Sequence, residues 1–257
     1  MNPKQVIPAY YERAFSVKDI ESPYLEISEL FCDTIQGEGA YLGTPCTFLR
    51  LQWCTQNCVW CDTQEVWRQG NKFEFDLIFD LLDAHQVIDK LWHGQHLVLT
   101  GGSPLRQQDN LVLFFRAFHN RYSFKPIIQI ENECTLMPSK EMINLVHIWN
   151  NSPKLESSGN NKRLRYRPEI LKVLSGLKNS WFKFVVSKPE DWLEIEQDFL
   201  MPNVDLIQRD QIILMPQGAT REELHKNRQV VIDMAIEHHV RYSSREHIEV
   251  WDKKTGI

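Results

Sequence analysis

Cys54-Thr55-Gln56-Asn57-Cys58-Val59-Trp60-Cys61-Asp62-Thr63 is the stretch that decides how this chain is read. It carries three cysteines, with three residues between the first pair and two between the second. Thiolates are soft ligands, and a run this tight wraps a short loop around one inorganic centre. A [4Fe–4S] cluster normally takes four cysteines. Held by three, it leaves one iron open to bind a second ligand and do chemistry. A zinc knuckle wants four protein ligands, usually in two pairs, and Cys-x2-Cys occurs once here. His85, His93 or His96 could add a fourth, but none has finger-like spacing. Six cysteines unevenly placed in 257 residues suit a reduced chain rather than a disulfide framework.

At 257 residues, 42% hydrophobic and 25% charged, the chain matches an ordinary globular protein with room for a large core. A net charge of −5 argues against a general nucleic-acid binder. No apolar run approaches the ~20 residues of a membrane span, and Met1 to Phe15 lacks a signal-peptide core. The expected location is cytoplasmic.

Residues 1–24 read as an N-terminal arm, broken by Pro3, Pro8 and Pro23, with Tyr10, Tyr11 and Phe15 available for packing. A single domain is expected over 25–257. Leu25–Phe31 alternates apolar and polar residues, as a half-buried strand does, and runs into Ile35-Gln36-Gly37-Glu38-Gly39. Taken alone, that segment reads as a hairpin turn. Thr47–Gln52 is a second strand, in which Arg50 needs a partner: a ligand carboxylate or an internal pair with Glu38.

The spacing predicts a helix over 73–91, a buried strand at 96–100 ending in Gly101-Gly102-Ser103-Pro104, and a helix over 109–120 with Leu111, Phe114, Phe115 and Phe118 in the core. Gly-Gly lets a ligand approach the backbone, or simply turns the chain. Further strands are expected at 126–130, 181–186, 211–215 and 247–251, with helices at 138–146, 189–199 and 220–238. Thr220 and Glu223 form a capping box. Lys162, Arg163, Arg165 and Arg167 read as a solvated face, and His238 and His239 as a surface pair. Alternating strands and helices without an internal repeat describe parallel βα units, whose strand-end loops gather at one face.

The joint pattern of Phe48-Leu49-Arg50-Leu51, the three cysteines and Gly101-Gly102-Ser103-Pro104 resembles the radical S-adenosylmethionine superfamily. Ile35–Gly39, Cys61-Asp62-Thr63, Ser152-Pro153-Lys154 and Arg245-Glu246-His247 narrow the resemblance to the 7-carboxy-7-deazaguanine synthase family, from about residue 27 to the end. It implies an α/β fold, an incomplete (β/α) barrel of the radical SAM type, and a homodimer. The implied cofactors are a [4Fe–4S] cluster, S-adenosylmethionine and Mg²⁺. The implied substrate is a small pterin, 6-carboxy-5,6,7,8-tetrahydropterin, with a flavodoxin-like one-electron donor as partner and neither membrane nor nucleic acid.

By motif, the resemblance gives Cys54, Cys58 and Cys61 to the cluster and Thr63 to Mg²⁺. Ile35, Gln36, Gly37, Glu38, Arg50, Thr100 and His247 go to the substrate, with Arg50 counted among the catalytic set. Trp60, Cys61, Asp62, Gly102, Ser103, Ser152, Pro153, Lys154, Met215, Pro216, Gln217 and Gly218 go to the nucleoside cofactor. The sequence departs from the family pattern in three places. Ser103 stands where an acid that binds the cofactor's amino group is frequent. Trp53 stands where glycine is usual, and Glu131-Asn132-Glu133 where Glu-Thr-Asn is common. Two other readings remain: a radical SAM activase working on a protein partner, and a non-catalytic metal-binding protein.

Overall fold

The computed structural model describes residues 4–9, 23–200, 207–254 and 256; Tyr10, Tyr11 and Phe15 lie outside them. Ten strands form one sheet. They are β1 (Lys4–Ile7), β2 (Tyr24–Ile35), β3 (Pro45–Leu51), β4 (Asn71–Glu74), β5 (His96–Gly101), β6 (Ile127–Asn132), β7 (Ile148–Asn151), β8 (Ser180–Val186), β9 (Ile212–Pro216) and β10 (Arg241–Tyr242). From β3 through β5, β6, β7, β8 and β9 to β10 every pairing is parallel. β2 runs antiparallel to β3, and β1 and β4 share the outer edge of β2. The sheet does not close into a barrel.

Side chains alternate across a strand, and that parity separates core from site. Leu49 and Leu51 of β3, Leu97 and Leu99 of β5, Ile128 and Ile130 of β6, and Phe182 and Phe184 of β8 belong to the core. They pack with Phe79, Leu111, Phe114, Phe118 and Leu171 from the helices. The intervening residues Phe48, Arg50, Thr100, Glu131, Lys183, Val185 and Met215 line a cleft on the other face. Hydrophobic burial holds the helices to one face and leaves the opposite one free for polar groups.

Several elements differ from expectation. The helix expected over 73–91 is β4 followed by helices Phe75–Ala84 and Val87–Trp92, because Gln86 takes a left-handed conformation (φ 58°) between them. β7 was not anticipated, since Ile148-Trp149-Asn150-Asn151 has no alternation, yet all four residues are buried. The segment at 247–251 is helical, Glu246–Trp251, although its composition is that of a strand. Arg221 caps it by donating to the carbonyls of Glu249 and Val250. Arg165 is no solvated cation: it is 4% exposed and paired with Glu194. Thr220 does cap the helix Arg221–Glu237, accepting from the Glu223 amide at 3.2 Å.

Candidate active site

The cysteine loop leaves β3 and folds back over the end of β5. Trp53 turns it with a left-handed backbone (φ 68°), the conformation in which glycine is usual. Its amide donates to Trp67 O at 3.0 Å and its carbonyl accepts from Ser103 N at 2.7 Å. Gly102 lies directly beneath, where a Cβ would stand 2.1 Å from Trp53 O. Only glycine permits that approach.

All three thiols of the loop are free, partly exposed and on the cleft's lining. Each meets a donor: Gln56 N and Ser103 Oγ to Cys54 Sγ at 3.4 and 3.5 Å, Asn160 Nδ2 to Cys58 Sγ at 3.2 Å, and Trp67 Nε1 to Cys61 Sγ at 3.4 Å. Such bonds stabilise thiolates and tune a cluster's potential. Burial pushes the Cys54 and Cys58 thiols up, so loading a metal centre here releases protons. Three donor-supported thiols on the lining of one cleft fit the donor set of an iron–sulfur cluster, which they would hold. His85, His93 and His96 lie off the lining, and no three His, Cys, Asp or Glu side chains among the described residues gather tightly enough for a single metal ion.

A buried polar network floors the cleft. Lys183, 4% exposed, bridges Glu38 at 2.9 Å and Glu131 at 2.8 Å. Gln36 Nε2 donates to Gln129 Oε1 at 3.2 Å and to Glu131 Oε1 at 3.0 Å, and Asn150 Nδ2 reaches the same two oxygens. Ile35–Glu38 enters from the end opposite the cysteine loop, because β2 is antiparallel to its neighbour; strand-end loops at one face do not supply the whole site. Arg50 pairs through Nε with Glu29 at 2.6 Å rather than with Glu38.

Behind Gly37 sits His247, so close that a Cβ on Gly37 would lie 2.2 Å from Nδ1. The Glu246 amide fixes this contact by donating to Gly37 O at 2.7 Å. Arg245 pairs with Asp62 and donates to Gly218 O, tying the cysteine loop to the turn after β9.

The cleft gathers Ile35, Gln36, Gly37, Glu38, Arg50, Cys54, Cys58, Trp60, Cys61, Asp62, Thr63, Thr100, Gly102, Ser152, Lys154, Met215 and His247 from the residues the resemblance assigns. Ser103, Pro153, Pro216, Gln217 and Gly218 are not on its lining. Ser103 is fully buried, its hydroxyl spent on Thr55 N at 2.9 Å and on Cys54 Sγ. Lys183, Glu131 and Arg245 were missed as site residues. Lys183 gave the same signal as Arg50, a lone cation in an apolar strand.

The network has a pH signature. Burial alone would push the Glu38 carboxyl up, but the Lys183 ammonium and Arg245 guanidinium hold it below the usual carboxylate range. Lys183 is held above its ordinary value by Glu131 and Glu38 against the opposing effect of burial. The Glu38 contribution is therefore present above about pH 4.5 and lost as pH falls through the depressed folded value. That of Lys183 is present below about pH 10 and lost as pH rises through its raised value. Thermal melts should show an acid limb that flattens in Glu38→Gln; an unchanged limb would remove Glu38 from the linkage.

The family model described as a 4Fe-4S single cluster domain matches residues 35–167, and the chain belongs to that iron–sulfur family. Among curated proteins, a 7-carboxy-7-deazaguanine synthase of Koribacter versatilis is 30% identical over 176 residues, covering 68% of this chain and 70% of that protein. One of Halobacterium salinarum is 29% identical over 243 residues, covering 90% and 92%. The chain belongs to the 7-carboxy-7-deazaguanine synthase family. Its fold matches the crystal structure of QueE from Escherichia coli with a TM-score of 0.61 at 20% identity, over 87% of this chain and 95% of that one.

Proposed function

We propose that this chain converts 6-carboxy-5,6,7,8-tetrahydropterin to 7-carboxy-7-deazaguanine with loss of ammonia, a radical ring contraction of deazapurine and queuosine biosynthesis. The observation that carries it is the meeting, in one cleft, of the three-cysteine loop and a buried polar floor built on five strands. Cys54, Cys58 and Cys61 would hold a [4Fe–4S] cluster and Thr63 a Mg²⁺. When bound, the reduced cluster and S-adenosylmethionine supply a carbon radical able to take hydrogen from an unactivated C–H bond.

The chain's own residues position the substrate and exclude other reactions. Gln36, Glu38, Glu131 and Lys183 offer the donors and acceptors that a pterin edge requires, on a floor whose parts hold one another in place. Arg50 spends only Nε on Glu29 and lines the cleft, leaving its terminal nitrogens for a substrate carboxylate. His247, held behind Gly37, closes the far side of the pocket. The reading also includes a homodimer, a flavodoxin-like electron donor, a cytoplasmic location and one domain over 25–257. No described helix is long and apolar enough to cross a membrane.

Anaerobic turnover of that pterin by iron-loaded protein tests the reading, and Arg50 sharpens it. Arg50→Ala would leave Glu29, 1% exposed, without its partner; Arg50→Lys keeps a cation there and removes the planar fork. The expected result for Arg50→Lys is an intact cluster and a substrate KM raised about tenfold or more, since charge-assisted bonds contribute about 1.5–3 kcal/mol. An unchanged KM would take Arg50 out of the site.

A further inference from the structure

Glu131 and Glu133 flank Asn132 at the end of β6, and both line the cleft. Glu131 is fully engaged, accepting from Gln36 and Asn150 through Oε1 and from Lys183 through Oε2. Glu133 is not. It is 5% exposed, and its Oε1 accepts from Thr55 Oγ1 at 3.1 Å and Thr135 Oγ1 at 2.6 Å. Its Oε2, equally buried, has no hydrogen-bond partner among the described residues. Buried carboxylate oxygens are costly unless paired, and exceptions call for an explanation.

The cations around the cleft are engaged elsewhere. Lys154 Nζ donates to Ser152 Oγ at 2.7 Å and Ser152 O at 2.9 Å, Arg50 pairs with Glu29, and Arg245 with Asp62. Lys183 is shared between Glu38 and Glu131. Glu133 thus presents an unpartnered carboxylate oxygen to a cation that arrives with a ligand. Its position says which end of the ligand. The Thr55 hydroxyl that binds Glu133 also contacts Ser103 Oγ at 3.1 Å, and Ser103 Oγ contacts Cys54 Sγ at 3.5 Å. The carboxylate stands two hydroxyls away from a cluster-ligand sulfur.

We propose that Glu133 binds the α-ammonium group of the nucleoside–amino acid cofactor, filling from β6 the place that Ser103 leaves without an acid. The assignment rests on the functional reading above and adds to it a residue for which neither the motif pattern nor the family resemblance accounts. A buried carboxylate and an ammonium form a charge-assisted bond that an amide at the same position cannot reproduce.

The test compares iron-loaded wild type, Glu133→Gln, and the double variant Glu133→Gln with Ser103→Glu. Each is titrated calorimetrically with S-adenosylhomocysteine and with 5′-methylthioadenosine, which keeps the adenosine but lacks the amino-acid end. Iron and sulfide content is measured alongside. Glu133→Gln should weaken S-adenosylhomocysteine by about tenfold or more while holding 5′-methylthioadenosine within about twofold, at unchanged cluster content. The double variant should regain part of the lost affinity. Equal affinity of wild type and Glu133→Gln for S-adenosylhomocysteine would overturn the assignment, as would equal losses for both ligands. Loss of the cluster in Glu133→Gln would also overturn it, making Glu133 a prop for the Cys54 loop. Wild type that binds neither ligand would remove the functional reading itself.

Discussion

Cys58→Ala is expected to abolish iron–sulfur absorbance and product formation together, with no fractional activity left. Three thiols are the smallest set that holds a cluster while leaving one iron open, so losing any one leaves two corners undefended. Cys58 is also fastened from outside its own loop: Asn160 donates to its sulfur at 3.2 Å and to Ser158 Oγ at 3.1 Å. The Val59 amide in turn donates to Ser158 O at 3.0 Å, which docks the tip of the loop on the segment after β7. Cys46→Ala is the control. That thiol is buried in β3, off the cleft, and its own environment holds it protonated. Removing it should change stability by about 1 kcal/mol and leave the cluster in place. Iron content and the visible spectrum of the two variants check the pair of expectations; a Cys58→Ala protein with a full cluster would contradict the assignment of the loop.

Lys183→Met should be the most damaging substitution in the floor of the cleft. The apolar replacement fits the strand, but it strips Glu38 and Glu131 of their shared cation while both remain in a crowded polar network. Breaking a buried ion pair from one side costs about 3–5 kcal/mol. The two carboxylates keep 19% and 18% exposure, which places this case near the lower end of that range. For a chain of this size that corresponds to a fall in melting temperature on the order of 6–12 °C. Turnover should fall further than stability, because Gln36 and Asn150 are positioned through the Glu131 carboxylate that Lys183 holds. Melting curves and turnover at a temperature where the variant is fully folded separate the two effects. Near-normal turnover in folded Lys183→Met would show that the floor does not position substrate.

The fold was legible wherever hydrophobic periodicity was clean. The β5, β8 and β9 strands and the helix Gln108–Tyr122 lie where alternation and helical spacing put them. It failed where partners rather than local pattern decide. Ile148–Asn151 is a strand because it sits between β6 and β7's other neighbour β8, and no local alternation announces that. Glu246–Trp251 is a helix whose end is capped by the distant Arg221, a contact that local composition does not announce. In the site, the cysteine spacing and Arg50 were visible as anomalies in one dimension. The same anomaly at Lys183 went unread, and the internal partner of Arg50 is Glu29 where Glu38 was the acid considered. Glu38 and Glu29 are both acids near that strand, and only the register of β2 against β3, which pairs Glu29 with Arg50, chooses between them. Glu133 was legible only as an oddity of sequence. Its unpaired oxygen and its link to Ser103 through the Thr55 hydroxyl come from the way β6 delivers it beside the cysteine loop.

The measurement that bears most directly on the central claim is an anaerobic assay of the reconstituted protein. It would contain dithionite, S-adenosylmethionine, Mg²⁺ and 6-carboxy-5,6,7,8-tetrahydropterin, with products read by mass spectrometry. The expected product is 7-carboxy-7-deazaguanine in excess of the cofactor consumed, dependent on bound iron. Formation of 5′-deoxyadenosine without that product would contradict the substrate. A protein that binds zinc in place of iron and forms neither would contradict the enzyme.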